Sequence, residues 1–237
     1  MKNIIIFGVG FLLLFGGWLI YSEEEKHLRE EIIERYDSGE KKVVGFYSGE
    51  GSNETILKRI YYYSQNDGGG KKKEENYKNG KLEGKCFYWY KNGDKEIECN
   101  YKNGKLEGNL YEFRGGIKVS ETNYKNGKED GKHYTFWDNG SKQWEIDYSN
   151  GVMEGKNIYW LIADSIKSTE SNYKNGQLHG KSYAWNNDGT LQTESNYKNG
   201  KLNGDYIMYT SDGGIFLHDI YKDGEVIKEV SRFYIRN

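Results

Sequence analysis

Short stretches in which hydrophobic and polar residues alternate run along most of this chain, and small turn-forming pairs separate them. Alternation with a period of two is typical of β-strands, since successive side chains point to opposite faces of a sheet. The separating pairs are mostly Asn-Gly, Asp-Gly or Gly-Gly. These pairs favour two-residue type I′ hairpin turns, because both central residues need positive φ. The pattern therefore predicts antiparallel hairpins, and no repeated stretch has the period of a helix.

The turns recur with a fixed period. Tyr-Lys-Asn-Gly occurs five times, and two near copies complete a series with spacings of 24, 23, 24, 25, 24 and 24 residues. Such a period marks a repeat architecture in which one small unit is stacked many times. We therefore predict an all-β fold, an elongated, twisted, single-layer antiparallel sheet of stacked β-hairpins. The copies begin at Tyr77, Tyr101, Tyr124, Tyr148, Tyr173, Tyr197 and Tyr221.

A second turn divides each unit near its middle, and Asn92-Gly93 is the first example. A two-residue loop there places residues whose numbers sum to 185 opposite each other. The predicted opposite pairs are Phe87 with Glu98, Trp89 with Glu96, Cys86 with Cys99 and, around Asn79-Gly80, Tyr77 with Leu82. The later middle turns are Gly115-Gly116, Asn139-Gly140, Asp188-Gly189 and Asp212-Gly213, while Ala163-Asp164 departs from the pattern.

One predicted face carries the repeat Tyr, a Leu or Met five residues on, and a Gly seven residues on. The glycine has two compatible explanations, room for a neighbouring ring or a local twist or bulge. The other face carries aromatic rings beside one acid per unit. The acids are Glu98, Glu121, Glu145, Glu170 and Glu194, which we interpret as cross-strand partners of the rings.

The aromatic stripe is the candidate binding face. It buries ring faces along the sheet, and a partner peptide or glycan could also lie along rings that recur once per unit. Both roles can hold together, because repeat proteins often use one surface for packing and binding. The candidate residues are Phe87, Trp89, Phe113, Phe136, Trp160, Trp185 and Tyr209.

Composition supports a folded, non-catalytic chain. The 237 residues have a formal charge of −2, and 16% are aromatic, which argues against disorder. Interspersed charges give no basic stripe, so nucleic acid is not an expected partner. His27, His133, His179 and His218 occupy different places in different units, and no nucleophile or metal motif has a supporting context. We expect no enzyme activity, no cofactor and no metal.

The N-terminus is of another kind. Lys2 precedes an almost uncharged run from Ile4 to Ile20, and acidic residues follow from Glu23. We interpret residues 1–21 as a signal anchor that crosses the cell membrane once through residues 4–20. The bulk of the chain is then extracytoplasmic. The alternatives are a cleaved signal peptide, which gives a secreted or periplasmic protein, and a buried hydrophobic segment.

Three further segments follow. Residues 22–36 are predicted to form a charged stalk helix, since Ser22 with Glu25 resembles a capping box and Leu28, Ile32 and Tyr36 are spaced four apart. Residues 37–76 are interpreted as degenerate capping repeats, and residues 77–237 as the repeat array.

Units of the form Tyr-Lys-Asn-Gly-Lys-Leu-Glu-Gly-Lys with a second Asn-Gly turn resemble the bacterial variant of the MORN repeat, over about Tyr61 to Val226. The resemblance implies a sheet of successive hairpins and a binding or scaffolding role. Whole proteins of this kind resemble the YwqK-family antitoxins of toxin–antitoxin systems. Three functions are therefore considered. The first is a membrane-anchored repeat protein that binds another protein or a cell-surface polymer outside the cytoplasm. The alternatives are an antitoxin or immunity protein, and a structural spacer in the cell envelope that has no high-affinity ligand.

Cys86 and Cys99 are the two cysteines of the chain. Their predicted register places them directly opposite each other, at a Cα separation that a disulfide tolerates. We predict a Cys86–Cys99 cross-strand disulfide in the exported protein, with two reduced thiols as the alternative.

Overall fold

The structure of the protein is a computed structural model, and it describes residues 4–5, 28–49, 51–161 and 166–232. Strands contain 72% of these residues, and helix is limited to two short 3₁₀ turns. The prediction of an all-β fold of antiparallel hairpins is confirmed. The chain divides into two compact units, residues 1–105 and 106–237, which are described separately. The predicted elongated, twisted, single-layer shape stays a prediction.

The first unit is an antiparallel sheet in which strands that follow one another in the sequence are paired. Its strands are β1 (Ile4–Ile5), β2 (Leu28–Arg35), β3 (Lys41–Ser48), β4 (Thr55–Tyr62), β5 (Lys71–Lys78), β6 (Lys81–Trp89) and β7 (Lys95–Lys102), with 3₁₀ turns at Gly51–Asn53 and Gln65–Asp67. A two-residue strand, β8 (Lys105–Leu106), lies where the units divide.

The second unit repeats the same arrangement, and each strand pairs antiparallel with the next. Its strands are β9 (Gly108–Arg114), β10 (Ile117–Lys125), β11 (Lys128–Phe136), β12 (Lys142–Ser149), β13 (Val152–Trp160), β14 (Lys167–Lys174), β15 (Gln177–Trp185), β16 (Leu191–Lys198), β17 (Lys201–Tyr209), β18 (Ile215–Lys222) and β19 (Glu225–Arg232).

The turns that open the repeats have the predicted type I′ form. Asn79 has φ of 51° and Gly80 has φ of 72°, and Tyr77 lies opposite Leu82 as predicted. Asn is one of the few residues that tolerate positive φ, and Gly does so without cost. The same conformation recurs at Asn103, Asn126, Asn150, Asn175, Asn199 and Asp223.

The middle turns differ from the prediction. Around Asn92 the backbone N–H of Tyr90 bonds to the carbonyl of Asp94, so the loop has three residues, and Gly93 alone has positive φ. The Asn92 side chain accepts the Asp94 amide at 3.1 Å, which stabilises this wider turn. The predicted two-residue loop is therefore wrong at this position. Among the middle turns that the structure describes, Gly115-Gly116 alone has positive φ at both residues.

A bulge then restores most of the predicted register. Trp89 lies opposite Lys95, so the predicted Trp89–Glu96 pair is wrong. Glu96 is the extra residue, and beyond it the pairs again sum to 185. The predicted pairs Phe87–Glu98 and Cys86–Cys99 are confirmed.

The recurring glycine is explained by a bulge. The register shifts between Glu75–Cys86 and Tyr77–Leu82, and Gly84 between them has φ of 84°. A Cβ on Gly84 would meet nothing within 4 Å. At the equivalent glycines no aromatic atom is among the nearest neighbours of an added Cβ. The explanation that the glycine makes room for a neighbouring ring is therefore wrong. The equivalent glycines have φ between 79° and 110°: Gly108, Gly131, Gly155, Gly180 and Gly204.

Neighbouring repeat turns are bonded to each other. The N–H of Gly104 donates to the carbonyl of Leu82 at 2.8 Å, and the N–H of Asn103 donates to the Glu83 carboxylate at 2.8 Å. Leu82 and Glu83 belong to the Lys-Leu-Glu-Gly segment that follows the previous turn. The glycine bond recurs from Gly127 to Leu106, Gly151 to Glu129, Gly176 to Met153, Gly200 to Leu178 and Gly224 to Leu202.

The buried polar residues and both cysteines lie in the middle of the strands, on the face of the repeat tyrosines, whereas Val44, Ile60 and Ile158 are buried on the opposite face. In the first unit Glu75, Cys86 and Cys99 are opposite one another and at most 5% exposed. In the second unit Thr122 and Asp219 hold equivalent positions and are 4% and 2% exposed. The centre of this face is therefore largely polar, and the tyrosines provide most of its apolar cover.

The predicted stalk helix is wrong for Leu28–Arg35. These residues form strand β2, which pairs with β3 through a turn that contains Gly39. Val44 of β3 is fully buried, and pairing with a buried strand overrides the local helical spacing. Residues 22–27 lie outside the described residues.

The predicted membrane segment is described only at Ile4–Ile5, which form the short strand β1 beside β2. The rest of residues 1–21 lies outside the described residues. Within the part of the chain that the structure describes, no helix has the length and apolar character needed to cross a bilayer.

Deleting Tyr173–Asn196, which is one 24-residue period, should leave a folded protein. The repeat turn before the deletion and the one after it then become neighbours, and they can form the same glycine bond as other neighbouring turns. Deleting only residues 173–184 reverses the direction of every later strand and should abolish cooperative folding. Far-ultraviolet circular dichroism and thermal melting of both variants measure this. Equal damage would contradict the repeat model.

Candidate binding face

The structure places the predicted binding residues on one side of the strands, opposite to the repeat tyrosines. Phe87 and Trp89 lie together on β6 in the first unit, with ring centroids 5.8 Å apart. Five others, all half-buried, form a row on alternate strands of the second unit: Phe113, Phe136, Trp160, Trp185 and Tyr209. Successive rings of this row are two strands apart, or about 10 Å. We call this row and its lysines the aromatic–lysine face.

A lysine lies opposite most of these rings. Phe136 pairs with Lys142, and Trp160 pairs with Lys167. The first residue of the returning strand lies beside the ring in these two pairs, whereas at the two-residue turn Gly115-Gly116 the second residue, Lys118, takes this place. The remaining pairs are Trp89 with Lys95, Phe113 with Lys118, Trp185 with Leu191, and Tyr209 with Ile215.

Lys118 and Lys142 each contact rings of two hairpins. The Lys142 ammonium is 4.7 Å from the ring centre of Tyr134 on the preceding strand and 5.6 Å from that of Trp160 on the next hairpin. Lys118 lies in the same way over Tyr111 and Phe136, at 5.5 and 4.8 Å. These distances are typical of cation–π contacts. The lysines therefore join neighbouring hairpins and cover the rings.

The ladder of acids fixes the lysines. Glu145 accepts from Lys132 at 2.7 Å and from Lys142 at 2.9 Å. Glu170 accepts from Lys156 and Lys167 in the same way, at 2.9 and 2.6 Å. The cross-strand position predicted for these acids is confirmed, since Glu145 lies opposite both Tyr134 and Ile158. Sequence reasoning missed the lysines, although Lys-x-x-Glu recurs in every unit from Lys71 to Glu170 and could have indicated them.

The ion pairs change the acidity of the ladder. Burial opposes ionisation of Glu145, but the hydrogen bonds from Lys132 and Lys142 outweigh it and lower the pKa of this carboxyl. The pKa of Glu170 is lowered for the same reasons. Glu145 and Glu170 are thus each held ionised between two ammonium groups.

The C-terminal end of the face is different in character. Leu191 and Ile215 stand where earlier hairpins have lysine, so no ammonium group lies opposite Trp185 or Tyr209. Ile215 is 46% exposed and Phe216 beside it is 38% exposed. Lys167 still lies 5.9 Å from the ring centre of Trp185. This end therefore presents more accessible apolar surface than the lysine-bearing hairpins before it.

Other candidate chemistry is dispersed. His133 bonds to Thr122 at 2.8 Å, and His218 pairs with Asp205 at 2.9 Å, in different strands. Within residues 28–49, 51–161 and 166–232, no group of three His, Cys, Asp or Glu side chains is placed to bind a metal ion.

Cys86 and Cys99 form the other notable pair. They lie opposite each other, are 1% and 3% exposed, and are free thiols in the structure. A hydrogen bond between the two sulfurs lowers the pKa of Cys86 and raises that of Cys99, and the nearby Lys73 ammonium also favours the Cys86 thiolate. The predicted register is confirmed, and the disulfide itself stays a prediction.

No protein-family model matches this chain, and no curated protein is significantly similar to it.

Replacing Glu145 by Gln should lower stability at neutral pH by about 0.5–1 kcal/mol, because two partly exposed ion pairs are lost. Its folded pKa is lowered, so the carboxylate contributes stability above its unfolded pKa, and this is lost as pH falls through the folded pKa. The melting temperature of E145Q should therefore fall less than that of the wild type below about pH 4.5. Glu112→Gln, at an exposed position on β9, is the matched control. Identical acid profiles for all three proteins would contradict the ladder.

Protein isolated from the cells that produce it and alkylated without reductant should show no alkylated cysteine if the Cys86–Cys99 disulfide forms. The bond should add at most about 2–3 kcal/mol, since the loop it closes is already held by a turn. The double variant Cys86→Ser with Cys99→Ser is the control and should fold, because Ser182 and Ser195 form the equivalent pair. Two alkylated cysteines would refute the bond.

Proposed function

We propose that this protein is a non-catalytic MORN-type repeat protein that binds another protein outside the cytoplasm, held at the membrane by its apolar N-terminal segment. The partner contacts the C-terminal end of the aromatic–lysine face. The observation that carries the proposal is the change of character at Leu191 and Ile215, where the pattern of lysines stops and the apolar surface is exposed.

Two arguments support a binding role. Exposed aromatic and aliphatic side chains that lie together are typical of protein contact sites, and Trp and Tyr contribute most to binding when water is excluded around them. The remaining hairpins keep their rings covered by paired lysines, so a partner there must displace ion pairs as well as water. A partner that binds at Trp185 and Tyr209 displaces no lysine ion pair opposite these rings, because Leu191 and Ile215 stand there.

The resemblance to MORN-type repeats also supports binding over catalysis, and the apolar run from Ile4 to Ile20 supports a site at the membrane. A surface polymer is the other kind of partner that rings in a row accommodate. The antitoxin alternative depends on the resemblance alone.

A double variant with Leu191→Lys and Ile215→Lys tests the proposal. It extends the pattern of the preceding hairpins, so it should fold, and it should lose the partner that the wild-type chain retains from envelope fractions. The partner is identified by mass spectrometry, and its affinity for both proteins is then measured with purified components.

Val152→Lys is the matched control, because Val152 is 44% exposed and lies at the start of β13. Equal binding by the double variant and the wild type would refute the proposed surface. A polysaccharide as the retained partner would favour polymer binding, and a toxin neutralised by this protein would favour the antitoxin alternative.

A further inference from the structure

Four repeat turns have the same tetrapeptide, Lys-Asn-Gly-Lys, at residues 78–81, 102–105, 125–128 and 198–201. Their conformations are also the same, with φ of 50–52° at each Asn and 72–81° at each Gly. Any difference in chemical reactivity between them therefore arises from the surrounding structure and not from local sequence.

The surroundings of the four turns differ in one hydrogen bond, which the glycine amide donates. The amides of Gly104, Gly127 and Gly200 each donate to a carbonyl of the preceding hairpin, at 2.8, 2.8 and 2.9 Å. The amide of Gly80 has no such acceptor among the described residues. The neighbouring connection between β3 and β4 is a longer loop with a 3₁₀ turn at Gly51–Asn53, and it has no Leu carbonyl in this place.

Asn79 is also less restrained than two of its three equivalents. The backbone N–H groups of Asn103 and Asn126 are held by Glu83 and Glu107 at 2.8 and 2.9 Å, whereas those of Asn79 and Asn199 have no carboxylate partner in the described structure. Asn79 and Gly80 are both exposed, and a Cβ added at Gly80 would meet nothing within 4 Å, as at Gly200. The glycine bond is therefore the one difference that separates Asn79 from all three equivalents.

An Asn-Gly pair has an intrinsic reaction with water. The backbone nitrogen of Gly attacks the side-chain carbonyl carbon of Asn, a nitrogen–carbon bond forms, and the side-chain amide leaves as ammonia with the proton of the peptide nitrogen. Water then opens the cyclic imide at either carbonyl, which gives aspartate or isoaspartate. Attack requires the peptide N–H to lose its proton and turn toward the side chain, and a hydrogen bond from that N–H opposes both steps.

We propose that Asn79 is a site of spontaneous deamidation and isomerisation, with water as the only co-reactant. The equivalent asparagines are protected by the bond from the glycine amide to the preceding hairpin. The product places a carboxylate between Lys78 and Lys81, the pair that closes the turn. Isoaspartate also lengthens the backbone by one atom at this turn, which disturbs the register at the first complete repeat.

The other Asn-Gly pairs are restrained as well. The glycine amides of the middle turns at Gly93 and Gly140 donate to Tyr90 and Trp137 within their own turns, at 2.9 and 2.8 Å. Gly151 and Gly176 are bonded to the preceding hairpin, and Asn203-Gly204 lies within the paired strand β17.

Incubation of the full chain at mildly alkaline pH, followed by peptide mapping at successive times, tests the proposal. Asn79 should be converted about threefold to tenfold faster than Asn103, Asn126 and Asn199, which is the effect of one protecting hydrogen bond. Isoaspartate is identified by electron-based fragmentation. In denaturant the four sites should react at the same rate. Equal rates in the folded protein, or faster conversion at any of the other three, would overturn the proposal.

Ammonia release gives an independent measurement. Asn79→Asp should remove most of the early release, whereas the matched Asn199→Asp should leave it almost unchanged. Both variants should fold, because Asp223 already occupies this turn position with φ of 52°. Undiminished early release from N79D would refute the site even if peptide mapping were ambiguous.

Discussion

The bond from the glycine amide of one repeat turn to a backbone carbonyl of the preceding hairpin constrains the rest of the structure. The acceptor lies beside the previous repeat turn, which is two strands earlier in the sheet. Every unit must therefore begin and end at the same edge of the sheet and in the same register. The unequal spacings follow from this. Units of 24 residues have three residues in the middle turn, the unit of 23 has two at Gly115-Gly116, and the unit of 25 has four between Leu161 and Ile166. Length varies only at the edge opposite to the bonded turns.

The sequence was sufficient to predict the hairpins, the type I′ turns and the central pairs such as Cys86–Cys99, because alternation and Asn-Gly are local signals. It was insufficient at Asn92-Gly93, since the same dipeptide supports two kinds of turn. The bond from Tyr90 to Asp94 and the bulge at Glu96 show which of them the structure has. The helix expected over residues 22–36 is wrong at Leu28–Arg35 for a different reason. Its spacing is compatible with a helix, but the buried partner strand β3 is a tertiary contact that no local pattern contains.

The candidate face was predicted in part. The rings were located correctly, because one aromatic residue per unit at a fixed strand position is visible in the sequence. Their cover by Lys118, Lys142 and Lys167 depends on the bulged register and was not predicted. With this cover, most of the aromatic stripe is a structural device that joins hairpins, and the substitution of lysine by Leu191 and Ile215 becomes the informative signal.

The turn-to-turn bonds all have the same direction, since each later glycine donates to an earlier carbonyl. The ribosome makes the chain in that same order, and a translocating chain emerges in it too. Each new turn therefore finds its acceptor carbonyl already synthesised, and the later glycine completes the bond as soon as it is made. The hairpins can therefore fold one after another from the N-terminus, in steps of about 24 residues.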